Sequence, residues 1–219
     1  SNLWISAPPL CVALGDADDC VNMEALANDA ITASFALTDE PLDLIGVLTA
    51  SEEDEASRLH FGESECERED GNILNCALPE VATDFGPLSL SKDSNCWPSK
   101  EDYKSDPAWM AQAPCFSTHE KEAYFNILGF EILVEEMQVL GSLTLNEEEA
   151  HVPTGQIIGF LSKDVTDLVV IDMEGQNMLD QISLSDLLHS KATVMHTSGK
   201  MGWNVVLSFD AETVPLNSN

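Results

Sequence analysis

Positive charge is what this sequence has least of. Its 219 residues contain 9 Lys and Arg against 39 Asp and Glu, a formal net charge of −30 and an isoelectric point near 4.1. The first basic side chain along the chain is Arg58. Neutralising a phosphate backbone needs a basic footprint, so nucleic acid is excluded as a general partner, and an anionic membrane surface would repel the chain. Long apolar runs are missing too: none approaches the roughly 18 residues of a spanning helix. There is no Cys-x-x-Cys pair, which sets aside zinc, iron–sulfur and covalent haem sites. No Asn begins an Asn-x-Ser/Thr sequon, in keeping with a bacterial or otherwise unglycosylated secreted protein. Catalytic signatures are equally scarce. No Gly-x-Ser-x-Gly elbow occurs, and His119-Glu120 opens like a zinc-protease helix but has Ala123 where the second His would stand.

What is present suffices to fold. Hydrophobic residues make up 44% of the chain and charged ones 22%, which separates it from disordered acidic tails. The six cysteines, Cys11, Cys20, Cys66, Cys76, Cys96 and Cys115, are even in number and sit mostly among Asp, Glu, Asn and Ser rather than in apolar runs. Sequence-local closure pairs them as Cys11–Cys20, Cys66–Cys76 and Cys96–Cys115, each spanning a polar segment rich in turn formers. Three disulfides place the protein in an oxidising compartment: extracellular, on the cell surface or periplasmic. The opening residues have no basic stretch followed by an apolar one, so the chain is read as a mature form with its signal removed.

Hydrophobic periodicity indicates strands. Asp19 to Ala30 reads as one short helix, followed by alternation over Ile31–Leu37 and a strand over Leu42–Thr49. Residues 51–115, with their acidic clusters, prolines and four cysteines, read as loop-rich. Beyond His119 cysteine disappears and strands are expected over Glu136–Leu145, Ile157–Leu161, Leu168–Met173, Ala192–Met195 and Trp203–Phe209, with a helical turn at Ser185–His189. The expected architecture is mainly β: an antiparallel sandwich or a curved sheet or barrel, with one or two short helices and a disulfide-stapled N-terminal half. A composition boundary near 118 divides a disulfide-bearing, acidic part (1–118) from a cysteine-free, strand-rich part (119–219), the first as an elaboration of the same domain.

Two sets of residues stand out as sites. Clustered carboxylates suit Ca²⁺, and loose sites can be drawn from Asp16, Asp18 and Asp19 or from Glu67, Glu69 and Asp70. An EF-hand is rejected, because counting from Asp16 the glycine and closing glutamate positions hold Val21 and Ala27. Apolar residues near both ends suit assembly: Leu3, Trp4, Ile5 and Leu10 form an arm that can add as a strand, and Trp203, Val205, Leu207 and Phe209 an edge that can receive one. His189 and His196 read as ordinary surface or partly satisfied histidines. The function expected on these grounds is a secreted or cell-surface, acidic, non-enzymatic protein with a structural, adhesive or filament-subunit role exercised through protein partners or self-association. The alternatives are a carrier holding an apolar ligand between sheets, lined by Met137, Val139, Leu143, Leu145, Ile157, Ile158, Phe160 and Trp203, and a polysaccharide-acting enzyme using two carboxylates. No cofactor beyond Ca²⁺ is suggested.

Overall fold

The computed structural model describes residues 2–7, 11–13, 20–22, 43–50, 57–69, 72–77, 82–100, 110–127, 130–145, 150–172, 181–188, 193–211 and 213–216. In chain order the strands are β1 (Asn2–Ala7), β2 (Cys11–Ala13), β3 (Cys20–Asn22), β4 (Asp43–Ala50), β5 (Ser57–Ser64), β6 (Cys66–Glu69), β7 (Asn72–Cys76), β8 (Ala82–Pro87), β9 (Ser89–Ser91), β10 (Cys115–Ser117), β11 (Lys121–Ile127), β12 (Phe130–Leu145) and β13 (Ala150–Ser162). Helix α1 (Lys163–Thr166), β14 (Val170–Asp172), β15 (Gln181–Ser183), α2 (Leu184–Leu187), β16 (Thr193–Met195) and β17 (Met201–Asp210) complete the set. All named strand pairs are antiparallel.

The principal sheet is built on three long strands, β12, β13 and β17, lying side by side. Short strands flank them on both sides: β11 and β10 along β12, β1 and β16 along β17, with β9 outside β10. Among the described residues the order β1-β17-β13-β12-β10-β9 is open, so this sheet is not a closed barrel. It draws strands from both sides of residue 118. The expected strands after residue 119 are present, but Glu136–Leu145 and Ile157–Leu161 are parts of the much longer β12 and β13, and β11 and β15 were not expected. The expected helical turn is α2, whose Ser183 side chain accepts from the Asp186 N–H.

The expected helix over Asp19–Ala30 is corrected where it can be seen: Cys20–Asn22 is β3, paired with β2. Its remaining residues, like the Ile31–Leu37 alternation, lie outside the described residues. The segment expected to be loop-rich also carries strands β5 to β10. These are short and mostly half-exposed, and their Ser, Gly and Glu content hides the alternation on which a strand is recognised.

Both faces of the long strands are covered. On one face Met137, Val139, Ile157, Leu161, Trp203, Val205 and Leu207 join Leu59 and Phe85 in the main core. Leu59 and Phe85 come from a separate sheet of order β4-β5-β8. Arg58 and Asp84 pair across that sheet at 2.8 Å, and Lys121 Nζ, on the principal sheet, donates to the Asp84 carbonyl at 2.5 Å. Beside the Arg58 guanidinium, and with its carboxylate accepting from the Gly86 N–H, Asp84 titrates below its ordinary range. On the opposite face Leu140, Ile158 and Val206 pack against Cys96, Ala111 and Cys115.

Two expected disulfides are formed, Cys66–Cys76 and Cys96–Cys115. The first staples the β6–β7 hairpin, whose Cys76 N–H donates to the Pro215 carbonyl at 3.0 Å. The second joins Cys96 to Cys115 on the far face of the sheet. Cys11 and Cys20 fall on the paired strands β2 and β3, and their side chains lie outside the described residues.

Close packing of these strands requires glycine at Gly202, where an added Cβ would stand 2.1 Å from the Leu161 carbonyl oxygen and 2.6 Å from the Phe160 ring. A backbone oxygen at that distance cannot step aside. Gly202→Ala is therefore expected to destabilise the fold by about 1–3 kcal/mol, read from denaturant midpoints. An unchanged midpoint would show that β13 and β17 are not packed in this register.

Candidate functional site

The long strand β12 changes phase in its middle. Ile132 and Val134 point into the main core before the change, Met137 and Val139 after it, so the buried positions switch from even to odd. One extra residue accomplishes this: Glu135 pairs with Phe160 while Gln138 pairs with Ile158, and Glu136 takes the left-handed conformation, φ 52°. This is a β-bulge, and a non-glycine residue with positive φ costs backbone strain that the surroundings must hold in place. The bulge delivers two consecutive carboxylates to the face away from the main core.

Two distant segments supply their partners, the stretch ending at Lys100 and the turn from His196 to Lys200. Lys200 Nζ donates to Glu135 Oε1 at 2.6 Å; the Glu135 side chain is 8% exposed and that of Lys200 46%. Held by that carboxylate, Lys200 titrates above its ordinary range. Lys100 forms an ion pair with Glu136 Oε2. His196 brings Nε2 to 2.8 Å from the same oxygen. Its ring stacks on Phe160, with centroids 4.3 Å apart and an interplanar angle of 19°, and its side chain is 8% exposed.

The protonation of His196 follows from its other nitrogen. Nδ1 accepts the Ser198 N–H at 3.2 Å and lies 2.8 Å from Ser198 Oγ, which assigns the ring proton to Nε2, facing Glu136. The approach to Glu136 is close but out of line with the ring N–H, and neither Oε2 nor Nε2 gains a regular hydrogen bond although both are sealed from solvent. Burial is the chief reason that His196 titrates below its ordinary value, and Lys100 and Lys200 push the same way against Glu135.

The segment bearing Lys100 is fixed independently. Gln138, 2% exposed, accepts from the Ser99 N–H at 2.7 Å through Oε1 and donates through Nε2 to Ser99 Oγ and the Thr118 carbonyl, both at 2.7 Å. Together with Cys96–Cys115 this ties the stretch just before Lys100 to the sheet.

A Ser, His and carboxylate in hydrogen-bonding sequence suggest a hydrolytic triad, but the turn is not equipped for acyl transfer. The Ser198 N–H is taken by His196 Nδ1 and the Gly199 N–H by the His196 carbonyl. Neither is left to stabilise an oxyanion. What the cluster can do is hold a buried carboxylate between two proton donors.

The residues singled out from sequence lie elsewhere. Leu3, Trp4 and Ile5 are on β1, which pairs within the chain with β17: Leu3 stands opposite Phe209 and Ile5 opposite Leu207. The expected arm and the expected acceptor therefore meet in one molecule. Trp203, Val205 and Leu207 also bury their side chains in the main core, with Phe209 packed against it, while Leu10 lies outside the described residues. Glu67 and Glu69 are on β6, where Glu67 accepts from Asn75 Nδ2 at 2.7 Å. Asp16, Asp18, Asp19 and Asp70 lie outside the described residues, among which no group of three or more side chains could hold a metal ion. The residues expected to line a carrier's cavity divide between the two faces of the sheet, Met137, Val139 and Ile157 on one and Ile158 on the other, so they do not line one cavity.

Sequence reasoning missed the bulge cluster; of its two readings of His196, surface or partly satisfied, the structure has the second, with Nδ1 hydrogen-bonded and Nε2 not. One signal was available: the Glu135-Glu136 doublet stands where the apolar phase of β12 changes. No family model matches the chain, and neither the curated proteins nor the solved structures contain a match. No helix among the described residues is long and apolar enough to cross a membrane.

The depressed titration of His196 fixes a sign. Below its ordinary value of 6.5 the unfolded chain takes up a proton that the folded chain resists, so stability falls as pH drops through that value toward the lower folded one. Unfolding midpoints measured from about pH 7.5 to about pH 5 should decline more steeply in the wild type than in His196→Gln. Parallel curves would contradict burial of a neutral imidazole.

Proposed function

We propose that the chain is a secreted or cell-surface acidic protein without enzymatic activity, whose role is structural or adhesive and is exercised through protein–protein contacts, self-association into filaments or oligomers included. The observation that carries most weight is the pair of disulfides, each closing a polar segment. Such bonds persist in oxidising compartments and brace a fold against conditions outside the cell. The charge fits the same setting, since self-repulsion at −30 is relieved where salt shortens the screening length to about 8 Å or less. Ca²⁺ at the acidic segments, Asp16, Asp18 and Asp19 or Glu67, Glu69 and Asp70, belongs to this proposal as an optional ligand.

Light scattering and electron microscopy on the oxidised protein, at low salt, at high salt and with millimolar Ca²⁺, test it. Regular filaments or defined oligomers in at least one condition are the expected result. A monomer in all of them would contradict self-association and leave adhesion to a different protein as the form of the reading to test by binding.

A further inference from the structure

Among the described pairs of a Lys or Arg with a carboxylate, the one between Lys100 and Glu136 is the least exposed overall once the Glu135 carboxylate of the Lys200 pair is set aside, next to Arg58–Asp84 at 35% and 37%, and it meets at an oxygen sealed from water. The pair Lys163–Asp167 is 50% and 45% exposed and one helical turn apart, an ordinary solvated contact. Lys200 meets Glu135 through an ammonium that is 46% exposed. Lys100 and Glu136 are only 27% and 26% exposed, and the oxygen they share, Oε2, is sealed from water. Both partners are anchored: Lys100 by the Cys96–Cys115 bond and the Gln138–Ser99 hydrogen bonds beside it, Glu136 by the bulge. A third group, His196 Nε2–H, stands 2.8 Å from the same oxygen without an in-line hydrogen bond.

We propose that Lys100 and Glu136 condense spontaneously into an isopeptide bond that cross-links the 96–115 segment to β12, with His196 assisting departure of the oxygen. At an oxygen sealed from water the ammonium–carboxylate pair loses part of its hydration, and transfer of one proton from Nζ to Oε2 gives a neutral amine beside a neutral carboxylic acid. Nζ then attacks the Glu136 Cδ carbon. The nitrogen gives up a second proton to Oε2, the Cδ–Oε2 bond breaks, and the oxygen leaves as water with the His196 N–H hydrogen-bonded to it. The ammonium has lost two protons and the carboxylate one oxygen; no oxidant, reductant or other co-reactant is consumed. Fixed contact supplies the effective concentration that amide formation in water lacks. The product also replaces a charged oxygen sealed from water by a neutral amide.

Intact mass of the protein after full reduction of its disulfides tests this directly. The expected mass is lower than that of the sequence by about 18 Da, one water, and digestion should yield a branched peptide joining Lys100 to Glu136, with no tryptic cleavage after Lys100. Lys100→Arg, which keeps the ion pair but cannot form the bond, and Glu136→Ala should each have the full mass of their own sequence. His196→Gln should accumulate the bond more slowly in a time course after refolding. A wild type that keeps the sequence mass through prolonged incubation at neutral pH overturns the proposal. So does a loss of water that persists in Lys100→Arg or maps to other residues. An unchanged rate in His196→Gln overturns the role of the imidazole.

Discussion

The constraint on which most of this structure depends is the single extra residue in β12. A strand of 16 residues with a strict alternation would bury one set of side chains along its whole length. Here Ile132 and Val134 face the main core in one phase and Met137 and Val139 in the other, and only the bulge at Glu135–Glu136 reconciles them. The same kink directs the carboxylates of both residues toward Lys200, Lys100 and His196. Core packing and the polar cluster are two consequences of one backbone irregularity.

Around that point the opposite face of the sheet is mixed. Leu140, Ile158 and Val206 pack against the Cys96–Cys115 bond, while Gln138, level with Ile158 and Val206, commits its amide to Ser99 and Thr118. At the bulge the face is ionic, and His196 stacks there on Phe160. In a chain of net charge −30, the convergence of two of its nine Lys and Arg side chains on two adjacent glutamates is a concentrated use of scarce positive charge. Of the four charged side chains only Glu135 is nearly withdrawn from solvent, so the attraction gains most at that carboxylate.

Much of the framework was legible in the sequence, for reasons that are local. Strand alternation in Trp203–Phe209 is a two-residue pattern, and Cys66–Cys76 and Cys96–Cys115 close short polar segments, so both could be seen without a third dimension. Cys20–Asn22 was misjudged because apolar spacing over a dozen residues suits a helix, whereas the three residues seen pair with β2. The cluster was hidden for a different reason: Lys100, Glu135, Glu136, His196 and Lys200 come from three segments whose meeting depends on sheet register. His196 in particular sits in a polar turn, where nothing local distinguishes a surface imidazole from one stacked beneath Phe160. The assembly residues were legible as a complementary pair, and the register of Ile5 with Leu207 shows that they meet within one chain.

Deleting Glu136 tests the central claim most directly, because it removes the extra residue and leaves every other side chain in the sequence. If the bulge sets the phase, the shortened strand must turn either Ile132 and Val134 or Met137 and Val139 away from the core, and thermal unfolding should show loss of the cooperative transition or a large drop in its midpoint. A deletion variant that unfolds cooperatively at the wild-type midpoint would contradict the claim that this one residue organises the sheet.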